Sequence, residues 1–254
     1  MNTRSQRWRR RTTSGHDGEK ITTKAADLFD RYFYFIMSLV IAGVVIYGFS
    51  QTINENLFHP AYRRPLVLYF HAAIFGCWVV LLITQSALVR TGNVRLHRKL
   101  GLCALALAVV LPIAGIATGI AMGRFNTQHG STDAAEFLIV PFFDMVAFAI
   151  VVGLAIVWRK KPEYHRRLMF LATCGLTVAA FNRFPVSVVP DNWGYAGVDA
   201  LILLGVGRDL FVTKHIHPVY LYGLPMMILG QALTMYIYLT RQPEWMVIAH
   251  RIIG

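Results

Sequence analysis

Seven long apolar blocks divide this sequence, at 32–49, 66–89, 100–122, 137–158, 168–181, 200–212 and 219–239, and no other feature constrains the fold as much. A bilayer core of ~30 Å is crossed by about 20 apolar residues in a helix, so blocks of this kind read as membrane-spanning helices. Barrel strands alternate apolar and polar residues over about 10 positions, whereas these blocks are apolar on every face. The expected fold is therefore an all-α polytopic transmembrane helical bundle of about seven spans. The fifth and sixth blocks are the weakest, because Asn182 and Arg183 close one and Arg208 and Asp209 lie near the end of the other. The expected layout is a basic tail over 1–30, a transmembrane helical domain over 31–241 and a short interfacial tail over 242–254.

Charge orients the bundle. The formal net charge is +12 although only 15% of residues are charged. The basic residues cluster as eight up to Arg31, four from Arg90 to Lys99, five from Arg159 to Arg167, and Arg208 with Lys214, which is 19 of 25 on one side of a seven-span arrangement. By the positive-inside rule this places the N-terminus in the cytoplasm, as expected of a bacterial inner-membrane protein. The same distribution argues against nucleic acid as a partner and for anionic lipid headgroups at the basic face. The tail is polar and poor in apolar residues, the composition of a disordered segment. No small-x-small site follows the first block, which reads as an uncleaved span. Cys77, Cys103 and Cys174 lie in three different blocks with no CxxC or CxxCH spacing, which excludes c-type haem attachment and reads as small core residues.

Ionisable residues inside an apolar span are costly and point to function. Asp144 lies about 12 Å into the fourth block and His71 about 9 Å into the second, both from the outer side. The two depths nearly match, so His71, Asp144, Asn182 and Arg183 are expected as an intramembrane polar cluster, either a site or a structural Asp144–Arg183 ion pair. Phe75, Trp78 and Gln85 share the helical face of His71. Such a face suits a haem, a quinone or a lipid headgroup, or plain packing.

Two phrases repeat at block entrances, "VRLHRKLG" from Val94 to Gly101 and "EYHRRLM" from Glu163 to Met169; "TKHIHPVY" echoes them with His217 ahead of Pro218. His97, His165 and His217 all belong to the basic side. They read as interfacial anchors and caps, as metal or haem ligands, or as protonation switches near neutral pH.

With His71, "LHRKLG", "HRRLM" and the Asp209 to Pro218 "DLF…HP" stretch in place, the chain resembles a family of bacterial multi-pass membrane proteins with no assigned reaction, over roughly 64–251. More distantly, its histidine-bearing hairpins resemble transmembrane cytochromes b. That resemblance implies haem b, with His71, His97, His165 and His217 as candidate ligands. Three function classes stay open. One is a haem- or metal-binding protein in electron transfer or respiratory assembly. Another is a non-redox enzyme or transporter with a His71/Asp144/Arg183 pocket. The last is a cofactor-free structural or assembly protein acting with a membrane-protein partner or as an oligomer. No HExxH, Walker or GxSxG motif is present to assign catalytic residues.

Overall fold

The computed structural model describes residues 28–254, so most of the expected basic tail lies outside the described residues. Every regular element among them is helical. The first is α1, Leu28–Ser50. A π-helical turn at Asn54–Phe58 leads to α2, Leu66–Arg90, and α3, Val94–Gln128. Then come the short α4, Ala134–Phe137, and α5, Ile139–Val157, followed by α6, Pro162–Gly175, and α7, Val178–Phe181. The chain ends with α8, Gly194–Val212, α9, Pro218–Thr240, and α10, Pro243–Ile253.

Five segments are long and apolar enough to cross a membrane: α1, α2, α3, the α4–α5 pair and α9. The fifth and sixth blocks do not meet that criterion: α6 has only 14 residues, and α8 carries Asp199, Arg208 and Asp209. The α6–α7 pair lies inside the bundle: Arg167, Leu168, Phe170, Leu171, Ala172, Thr173 and Cys174 are buried, as are Val178, Ala180 and Phe181. A helix shielded by protein carries threonines and an arginine that lipid would reject. The peripheral α2 and α3 show the opposite pattern, exposing Leu66, Phe70, Leu102 and Ile113 as a lipid-facing surface.

The antiparallel α2–α3 hairpin turns at Asn93, whose side chain accepts the Leu96 amide hydrogen at 3.2 Å. Its register is fixed by the Thr118 hydroxyl donating to the Val67 carbonyl and by His71 standing against Gly115. Prolines act differently in the third and fourth blocks. The α3 helix runs unbroken through Pro112. Pro141 follows a real break, since α4 ends at Phe137, four residues earlier, where a proline ring collides with the helical carbonyl. Gly48 and Gly205 permit close approaches: a Cβ at Gly48 would run into the Ala180 backbone, and one at Gly205 into the Tyr220 hydroxyl.

The segment expected as an interfacial tail forms α10, tied down by Trp245 Nε1 donating to Ala135 O at 3.2 Å and Arg124 Nη2 donating to Ile252 O at 2.8 Å. It packs at the end of the bundle opposite the α2–α3 and α5–α6 turns. Of the three cysteines only Cys174 is a core residue; Cys77 and Cys103 are exposed on the outer faces of α2 and α3.

Candidate functional site

Asp144 does not meet His71, Asn182 or Arg183. Its carboxylate accepts a hydrogen bond from the Tyr195 hydroxyl at 2.8 Å. Successive residues on a helix point about 100° apart, and α5 uses this to separate its two sides. Met145, the next residue, packs on the α3 side against Gly115, where His71 also stands. Asp144 turns instead toward α8 and α9. Arg183 lies with its guanidinium 4.4 Å from the Phe49 ring centroid and donates to the Ala179 carbonyl, while Asn182 abuts Gly194. The expected Asp144–Arg183 ion pair is therefore absent among the described residues, and the carboxylate has no cation partner.

A small cavity of about 10 Å³ opens beside Asp144 and is lined also by Tyr195, Gln231, Gly175 and Met227. Gln231, from α9, donates through Nε2 to Asp199 Oδ1 at 3.2 Å, extending the polar patch toward the start of α8. Gly175 ends α6. There the chain tightens over Leu176 and Thr177 before α7, and Thr177 returns its amide and hydroxyl hydrogens to the Cys174 carbonyl at 3.0 and 2.6 Å. A tightened turn within an otherwise helical segment is a common hinge element. Of the new residues, Gln231 was visible as the lone amide of the seventh block and Asp199 as the acid just before the sixth. Tyr195 falls in what reads as a loop, and nothing in the sequence separates it from other loop tyrosines.

A second polar region occupies the basic end. Asp209, fully buried on α8, accepts from Arg167 Nη2 at 2.6 Å and Nε at 2.9 Å, and from Arg208 Nη1 at 2.6 Å. Arg167 also meets Glu163 at 2.6 Å, Arg208 reaches Asp30 of α1, and Arg166 stands 3.8 Å from Asp30. Three arginines thus balance three acids. Burial would raise the Glu163 carboxyl, but hydrogen bonds from Arg167 and the charges of Arg166 and Arg167 outweigh it and hold the group below its usual range. His217 joins this network: its amide donates to Asp209 Oδ2 at 3.3 Å and its ring stands against Tyr164. Burial first, and then the Arg167 charge, keeps its imidazole below the ordinary range. The neutral ring caps α9 by accepting the Val219 amide hydrogen on Nδ1.

His97 and His165 both lie at this end, in the first turns of α3 and α6. His165 Nδ1 lies 2.8 Å from the Ala155 carbonyl, so it donates there and leaves Nε2 free; His97 Nδ1 is buried without a partner. His71 Nδ1 is likewise buried and unpartnered, at the other end of the α2–α3 hairpin. Among the described residues no three His, Cys, Asp or Glu side chains gather as a metal ion would require. Compared with known protein families, curated proteins and solved structures, the chain matches none.

Proposed function

We propose that this integral membrane protein is a carrier whose working group is the Asp144 carboxyl. The observation that carries this reading is a carboxylate held in the bundle by one tyrosine hydroxyl, with no cation paired to it among the described residues. Such a group needs a counter-charge, either a proton or a captured cation, and exchange of that charge is how intramembrane acids drive transport. The adjoining α6–α7 turn is the kind of interrupted helix around which carriers build midplane sites. In this reading the protein sits in the bacterial inner membrane with its N-terminus and basic end cytoplasmic, on anionic headgroups, and Asp144 in the outer half. Reconstituted into vesicles, the wild type should dissipate an imposed sodium or pH gradient at least tenfold faster than Asp144→Asn protein. Equal rates, matching empty vesicles, would sink the carrier reading.

A second reading, haem b or metal binding linked to electron transfer or respiratory assembly, is favoured by the His97–His165 pair. An imidazole whose Nδ1 hydrogen is fixed by a carbonyl presents Nε2 as metal-ligating histidines do. His71 and His217 stand outside this pair and would act elsewhere. The cytochrome-like reading requires a Soret band and a sharp reduced α band in the purified protein, lost on His97→Ala or His165→Ala. A colourless protein from haem-replete cells rejects haem.

A further inference from the structure

The cavity beside Asp144 limits what it can hold. Its volume of about 10 Å³ is the room of roughly one water molecule, which excludes any organic solute in this conformation. Its polar lining residues each offer an oxygen acceptor. Tyr195 spends its hydroxyl hydrogen on Asp144 Oδ1, so its remaining lone pairs are acceptors. Gln231 spends an amide hydrogen on Asp199, which leaves its Oε1 to accept. Asp144 keeps Oδ2.

An all-oxygen set suits a hard cation and not a soft transition metal. The count of charge selects its valence. A single carboxylate at the cavity balances one positive charge, whereas calcium asks for six to eight oxygens and magnesium for a near-ideal octahedron. Asp199 touches Gln231 and lies one step removed from the cavity. Among the described residues no lysine or arginine lines the cavity to compete. We propose that this cavity is the site of a single sodium ion, bound by Asp144, Tyr195 and Gln231. The inference rests on the reading of Asp144 as the working group of a carrier, and it names what that group exchanges.

The test is equilibrium binding to the full chain in detergent, which needs no transport. Unfolding temperature is measured in sodium, potassium and choline chloride at fixed ionic strength, at pH 8.5 and 6, alongside sodium-23 NMR line broadening. A sodium site raises the midpoint by several degrees over choline at pH 8.5, broadens the sodium line, and loses both effects at pH 6 as protons compete. A site that only takes up a proton on Asp144 shows no sodium effect at either pH, and that result overturns the sodium site. Gln231→Leu and Tyr195→Phe weaken either signal at least tenfold in affinity and stand in if Asp144→Asn does not fold. Arg183→Ala, remote from the cavity, retains it. Absence of Asp144-dependent sodium binding overturns the proposal. Binding without vesicle flux would instead remove the carrier reading and leave the site.

Discussion

The two polar regions of this bundle solve the same problem in opposite ways. At the basic end, Arg166, Arg167 and Arg208 meet Asp30, Glu163 and Asp209, and every charge has an opposite partner. At the other end, Asp144 has a neutral hydroxyl and a cavity. Burying charge is costly unless it is paired, so the first arrangement ties α1, α6 and α8 into one unit. The second leaves its deficit to be met from outside the chain. In the carrier reading, one region holds and the other exchanges.

The sharpest way to break this contrast is to remove the hub of the paired region. Asp209→Ala leaves Arg167 and Arg208 buried without their shared partner and should cost about 3–5 kcal/mol of stability, read by detergent-phase thermal or denaturant unfolding. Replacing Arg167 by Met and Asp209 by Leu together should recover much of that loss, unless the charges hold the fold by more than pairing. Asp144→Asn keeps a hydrogen-bond partner for Tyr195 and should change stability by only about 1 kcal/mol, the scale of one hydrogen bond, while abolishing gradient dissipation. A loss as large as that of Asp209→Ala would erase the distinction between the regions.

The smallest effect concerns pH. Glu163 is held below its usual range, so its contribution is full above about pH 4.5, its ordinary value, and fades as pH falls through the folded-state value. His217 is also held below its ordinary range, so protonation opposes the folded state as pH drops beneath about 6.5. Both signs make the basic end loosen on acidification. Because Glu163 is half exposed, solvent screening keeps its share small. Glu163→Gln should flatten the acid side of the stability profile; an unchanged profile would show that Glu163 contributes nothing to it.

Parts of this were legible along the chain. Apolar blocks announced helices, because a helix is the local answer to a backbone that must satisfy its own hydrogen bonds in lipid. Intramembrane acids and histidines announced themselves by their cost. Partnership was not legible. Matched depth made Asp144 and His71 look like neighbours, with Arg183 on the same side, but depth is one coordinate, and the rotation of α5 and the run of α7 beside α1 decide the others. Asp209 and Arg167, 42 residues apart, become one bidentate pair only when α6 packs on α8.

The sequence by itself determined an all-helical, lipid-compatible chain with a basic side and a short list of costly polar residues. These follow from composition and period, which act locally. Only the tertiary structure decided that the fifth block is the shielded centre of the bundle, that His217 caps a helix within the ion network, and that Asp144 is hydrogen-bonded to Tyr195 beside a water-sized space. Those depend on helix rotation and register, set by which faces pack best and not by any one segment's own residues.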